Sequence, residues 1–105
     1  MLKPNETMQK EMSVPRTALI PGGTGGIGRA IALALGRQGW SIAACYFKSE
    51  EKAAALELEL RNLGANCMIA RCNVSDPQDA ADLVKKVETE FERIDALINC
   101  VGDYH

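Results

Sequence analysis

Gly22-Gly23-Thr24-Gly25-Gly26-Ile27-Gly28 (GGTGGIG) holds five of the chain's nine glycines. Just ahead of it, Thr17–Pro21 (TALIP) is a short apolar run that reads as a strand. Just after it, Gly26–Gln38 carries Ile27, Ala30, Ile31 and Ala34 at i, i+3, i+4 and i+7, which predicts a helix with that stripe facing the core. A glycine turn between strand and helix presents backbone N–H groups at a helix N-terminus and lets an anion approach with no Cβ in the way. Two glycine registers fit. Gly23, Gly25 and Gly28 satisfy G-x-G-x-x-G, and Gly22, Gly26 and Gly28 satisfy G-x-x-x-G-x-G; inside a strand–helix–strand unit either points to a dinucleotide pyrophosphate. Gly23–Gly28 also has the outer spacing of a nucleoside-triphosphate loop. Arg29 and Ala30 stand where that loop needs lysine and a hydroxyl for magnesium, so triphosphate binding is excluded.

Outward from this turn the pattern stays regular. Gly39 ends the first helix, and Ser41–Phe47 (SIAACYF) reads as a strand apolar on both faces, as a buried parallel strand is. Ser49 caps a helix running to Leu63, with Glu50 and Glu51 in its first turn and Ala53, Leu56, Leu60 and Leu63 as its apolar stripe; Gly64 supplies the left-handed stop. Asn66–Cys72 is a third strand. Ser75, Asp76 and Pro77 open a third helix whose stripe is Ala80, Leu83, Val84, Val87 and Phe91. Ala96–Cys100 is a fourth strand. Short linkers and helical crossovers demand parallel strands with right-handed connections. The expected fold is therefore α/β: a partial doubly wound (Rossmann) parallel sheet, four strands in order 3-2-1-4, with helices on both faces. Residues 1–16 are polar, lack periodicity and carry Pro4 and Pro15; they read as a flexible tail, with Met12 an equally good start, ahead of a domain over residues 17–105.

At 105 residues the chain is one domain. Its 12 Lys+Arg against 14 Asp+Glu give a formal charge of −2 with no basic block, which excludes an electrostatic footprint for nucleic acid or an anionic membrane. A hydrophobic fraction of 47% argues against disorder. The longest apolar run, Ala30–Gly36, is flanked by Arg29 and Arg37 and falls far short of the about 18 residues of a membrane span. The opening MLKPNETMQKEM has no apolar core of a signal peptide, so the expected compartment is the cytoplasm. Cys45, Cys67, Cys72 and Cys100 form no Cys-x-x-Cys pair and the one histidine is His105, so no metal site is expected; the thiols read as reduced and buried.

In a dinucleotide site an acid at the end of the second strand binds the adenine-ribose hydroxyls. No residue from Ser41 to Ser49 is acidic, and Lys48 stands there instead. The missing carboxylate removes repulsion against a 2′-phosphate, so NADP is expected ahead of NAD, with Lys48 and Ser49 placed to contact it.

Three landmarks follow in order: Gly22-x-x-x-Gly26-Ile27-Gly28, then Asn73-Val74, then Asn99-Cys100-Val101-Gly102. Together with Gly26–Ala32 (GIGRAIA) and Asn73–Pro77 (NVSDP), they resemble the N-terminal half of the short-chain dehydrogenase/reductase family, especially its β-ketoacyl carrier-protein reductase-like members. The resemblance spans Thr17 to Gly102. It implies a nicotinamide dinucleotide at the carboxyl ends of the strands. Gly22, Thr24, Gly25, Gly26, Ile27 and Gly28 would hold the pyrophosphate, Asn73 and Val74 would flank the adenine, and Asn99 would support the adenine ribose and the nicotinamide side. The chain also departs from the family pattern. Pro21 replaces the usual threonine, which would weaken the tie to the fourth-strand loop; Asn-Cys-Val-Gly replaces Asn-Asn-Ala-Gly; and Gly25 occupies a position often basic in NADP-preferring members. The family's catalytic serine and Tyr-x-x-x-Lys are not found here: Tyr46 is followed four positions on by Glu50, and Tyr104 by only His105. The resemblance thus implies the cofactor-binding part of a carbonyl-reducing or alcohol-oxidising enzyme, truncated before its catalytic residues. It would complement a C-terminal half or self-associate. The alternative is a non-catalytic dinucleotide-binding module or remnant acting through a partner protein.

Overall fold

The computed structural model describes residues 14–101. Most of the expected N-terminal tail, together with Gly102 and Tyr104, lies outside them. Seven elements follow: β1 Thr17–Pro21, α1 Gly26–Arg37, β2 Ser41–Tyr46, α2 Glu50–Asn62, β3 Cys67–Arg71, α3 Pro77–Phe91 and β4 Ala96–Leu97. All strand pairs are parallel and the sheet order is β3-β2-β1-β4. In the central pair Thr17 stands opposite Ser41 and Pro21 opposite Cys45.

Side chains alternate across the strands, so the sheet builds two cores. Ala18, Ile20, Ile42 and Ala44 face α1 and α2, where Ala32, Leu33, Leu56 and Leu60 close over them. Leu19, Ala43, Cys45 and Cys72 face the other way, against Leu83 and Val87 of α3. Helices on both faces make the sheet doubly wound.

The buried face of α1 differs from the expected stripe. Gly28, Ala32, Leu33 and Gly36 are buried, Ile31 is half-buried, and Ile27, Ala30 and Ala34 are exposed. Closeness of approach explains the difference: a Cβ on Gly36 would lie 2.9 Å from Leu60 Cδ2, so the helix lies against α2 and the sheet through its smallest residues. On α2, Ala53, Leu56 and Leu60 are buried as expected, but Leu63 falls past the helix end and is exposed. On α3, Leu83 and Val87 are buried, Ala80 and Phe91 are half-buried, and Val84 is exposed.

Of the helix starts, that of α3 is as expected and that of α2 differs. Asp76 caps α3, accepting from the Gln78 N–H at 2.9 Å with Pro77 next in line. Ser49 occupies the N-cap of α2, but its side chain accepts no cap bond. Regular pairing in β4 covers only Ala96–Leu97, yet the backbone continues alongside β1: Ile98 N–H donates to Leu19 O at 2.9 Å and Cys100 N–H to Pro21 O at 2.8 Å.

Candidate functional site

The carboxyl ends of all four strands reach one edge of the sheet, where ligands of open α/β sheets seat. Gly22 is the crossing point. Its N–H donates to Cys45 O at 3.0 Å, and the β4 extension passes so close that an added Cβ would lie 2.8 Å from Cys100 C and Val101 N. Its φ of +73°, like the +53° of Gly26, lies in the left-handed region that favours glycine. Gly28 is flush against the turn: its Cβ would stand 2.5 Å from Gly22 O. Gly25, by contrast, is extended (φ −136°) with no neighbour nearer than 3.6 Å to an added Cβ. Of the two glycine registers, the one whose positions demand glycine is Gly22-x-x-x-Gly26-x-Gly28.

The turn leaves α1 with an open N-terminus. No side chain caps it and no acid sits in its first turn. Its first backbone bond runs from Arg29 N–H to Gly25 O at 3.4 Å, so the amides of Gly26, Ile27 and Gly28 have no acceptor among the described residues. Uncapped amides with no nearby carboxylate form a donor set for an anion.

Two clefts flank this donor set. One, of about 170 Å³, is walled by Gly22, Tyr46, Phe47, Cys72, Asn73 and Val74. The other, of about 640 Å³, is walled by Gly26, Ile27, Ile31, Lys52, Ile98 and Asn99, with Gly25 and Gly28 at its floor. Asn73 Oδ1 accepts from Ser75 N–H at 3.2 Å and from Ser75 Oγ at 2.6 Å, and its amide NH2 has no partner among the described residues. Asn99 Oδ1 accepts from Val101 N–H at 3.0 Å, fixing the turn after β4.

The residues singled out in the sequence therefore fall into groups. Gly22, Asn73 and Val74 line the smaller cleft, and Gly25, Gly26, Ile27, Gly28 and Asn99 the larger. Thr24 is buried within the turn, and Lys48 is exposed and lines neither cleft. Phe47 and Lys52 were missed. Phe47 was legible as the last residue of the expected second strand and directly follows β2, whereas Lys52 belongs to the next helix and only the fold brings it to the turn. The fourth-strand loop is tied to residue 21 through the backbone, the Pro21 carbonyl accepting the Cys100 N–H at 2.8 Å; proline adds no side-chain bond to it.

The four cysteines are free; Cys45 and Cys72 are buried, and Cys67 and Cys100 half-buried. Burial pushes the Cys45 thiol up to about 11, with the Gly22 amide opposing and Cys72 adding to the rise. Burial also raises Cys72, with Asp79 reinforcing it. The folded state thus holds its proton on Cys45 more tightly than the unfolded chain. That contribution to stability is complete below the unfolded thiol pKa and is lost as pH climbs towards 11. At pH 8 iodoacetamide should modify Cys45 about a hundredfold more slowly in the folded chain than in urea. Mass-spectrometric rates that are equal in the two states would contradict this.

Three comparisons bear on the site. The family model for short chain dehydrogenases matches residues 16–104. A 3-oxoacyl-(acyl-carrier-protein) reductase of Staphylococcus aureus is 35% identical over 91 residues, covering 87% of this chain and 37% of that protein. An L-rhamnose 1-dehydrogenase (NAD(P)(+)) of a Sphingomonas species is 32% identical over 87 residues, 34% of its length. The crystal structure of a short-chain dehydrogenase/reductase from Burkholderia xenovorans superposes with a TM-score of 0.83 at 35% identity, covering 89% of this chain and 38% of that one. The chain spans little more than a third of the length of these relatives.

Proposed function

The chain belongs to the short-chain dehydrogenase family, and from that premise we propose that it forms the dinucleotide-binding part of an NAD(P)-dependent oxidoreductase acting on a carbonyl or alcohol. The observation that carries this reading is the glycine turn, where Gly22, Gly26 and Gly28 bring uncapped amides to the edge of the sheet between two clefts. A pyrophosphate fits that donor set. The smaller cleft, with apolar Phe47 and Val74 and the free Asn73 amide, suits an adenine. The larger runs along α1's N-terminus from Gly25 and Lys52 on the α2 side to Asn99 and Cys100 on the β4 side, and its β4 end suits the nicotinamide, with Asn99 at the rim. A nicotinamide bound there supplies hydride exchange; this chain's residues bind and orient it. The absence of an acid from Ser41 to Ser49 supports NADP ahead of NAD. Free thiols suit a reducing compartment such as the cytoplasm.

Within the 105 residues no tyrosine has a lysine four positions on, so no residue here is assigned the proton transfer to or from substrate. The second reading is a dinucleotide-binding module that acts through a partner protein. A fluorescence titration tests both. The chain should bind NADPH and NADH saturably while the 105 residues alone reduce no member of a panel of ketones and β-ketoacyl thioesters. Failure to bind either dinucleotide overturns the first reading and the second. Turnover by this chain, abolished by Gly26→Asp, overturns the second and shows that a residue among the 105 does transfer the proton.

A further inference from the structure

We propose that Lys52 is the residue that selects NADPH over NADH, a proposal that rests on the dinucleotide reading above. Gly25 has no side chain, and the space beside it is taken by Lys52 from the first turn of α2: an added Cβ on Gly25 would lie 3.6 Å from Lys52 Cδ and 3.7 Å from Nζ. The ammonium therefore stands over the glycine turn, on the wall of the larger cleft with Gly25 and Gly26. Among the described residues it makes no ion pair and no hydrogen bond, unlike Arg29, Arg61 and Arg93, each of which holds a carboxylate. Its three donors are free for a ligand.

The position matters because of what the two dinucleotides share. Their pyrophosphates are identical and meet the same amides of α1. They differ by one phosphate on the adenine ribose, which lies between the glycine turn and the end of β2. Lys52 bridges those two elements, since it is carried by the helix that follows β2 and reaches over the turn that follows β1. Lys48, nearer β2 in sequence, is exposed and lines neither cleft. Glu50 and Glu51 share the first turn of α2 with Lys52, and neither lines the clefts beside the glycine turn. The cation facing a ribose phosphate is thus supplied by α2 where the turn itself has none.

Calorimetric titration of the chain with NADPH and with NADH tests this, comparing Lys52→Gln, Lys52→Arg and Lys48→Gln with the unmodified chain. Lys52→Gln should weaken NADPH about tenfold and leave NADH within about twofold, the loss of one charge-assisted contact. Lys52→Arg should retain most of the NADPH preference, Lys48→Gln should leave it unchanged, and rising salt should shrink it. An unchanged NADPH-to-NADH ratio in Lys52→Gln overturns the proposal, as does a ratio that collapses in Lys48→Gln instead. If neither dinucleotide binds the unmodified chain, the dinucleotide reading itself has failed. Lys52 is exposed, so its substitution leaves both cores intact.

Discussion

Gly28→Val should abolish dinucleotide binding and destabilise the fold by about 3 kcal/mol, whereas Gly25→Ala, three positions earlier, should change stability by less than about 0.5 kcal/mol. The contrast sets two effects of opposite sign against each other. Replacing a helical glycine by a residue with a Cβ ordinarily adds up to about 1 kcal/mol of helix propensity. At Gly28 the added Cβ would meet Gly22 O at 2.5 Å and Gly23 Cα at 2.7 Å, both backbone atoms that cannot rotate away. Overpacking of this kind costs about 1–3 kcal/mol for a single carbon, and valine adds two further methyl carbons and a stiff χ1. Relief requires α1 to back away from the turn. Retreat would carry the amides of Gly26, Ile27 and Gly28 off the edge of the sheet, so affinity and stability fall together. At Gly25 the backbone is extended and an added Cβ meets only the flexible end of Lys52. Urea unfolding with parallel NADPH titrations would decide the matter. Equal stability of the two variants would show that the approach of α1 to the turn has no energetic weight.

Strand order, crossover helices and the glycine turn were legible in the chain because each rests on a local signal. TALIP ends in glycines, Gly64 stops α2 at a left-handed φ of +76°, and Asp76-Pro77 starts α3. What was not legible depends on how closely elements approach. The stripe Ile27, Ala30, Ile31 and Ala34 has the helical period, but periodicity counts apolar bulk, and the face of α1 that closes on its neighbours is set by Gly28, Ala32 and Gly36, which carry little. In the same way the site's glycines could be found but their register could not, since two spacings fit until Gly22 and Gly26 showed positive φ and Gly25 did not. Lys52 lies beyond sequence reasoning for a related reason. Twenty-seven positions separate it from Gly25, and only the packing of α2 beside α1 brings its Nζ to the turn.

The chain at micromolar concentration should self-associate through the β4 side of the sheet, and Leu97→Lys should return it to the monomer. β4 is an edge strand, and Leu97 is 65% exposed on it. On the same side a groove of about 260 Å³ runs between β4 and α3, walled by Leu19, Leu83, Val84, Leu97 and Pro21. Val84 is exposed, and Val101, on the turn beyond β4, is half exposed. The other edge is better protected: β3 ends on Arg71, whose guanidinium sits over the Phe47 ring at 5.7 Å, and α2 packs beside it. Apolar side chains on an edge with free backbone donors and acceptors invite a second chain, and a charge placed on such an edge blocks it. Burying Leu97 and its neighbours offers about 25 cal/mol per Å², so about 300 Å² of apolar cover per chain outweighs the association entropy only weakly. The expected association is therefore reversible and concentration-dependent, not a tight dimer. Sedimentation equilibrium should show a weight-average mass that climbs with loading for the unmodified chain and stays flat for Leu97→Lys, with both giving the same helical circular dichroism. A unit mass ratio at every loading, joined to a sharp reversible thermal transition, would show that the β4 edge and the α3 groove need no cover. The unpaired edge would then have to be protected by something other than its side chains, since Leu97 has no charged or proline neighbour within β4 to guard it.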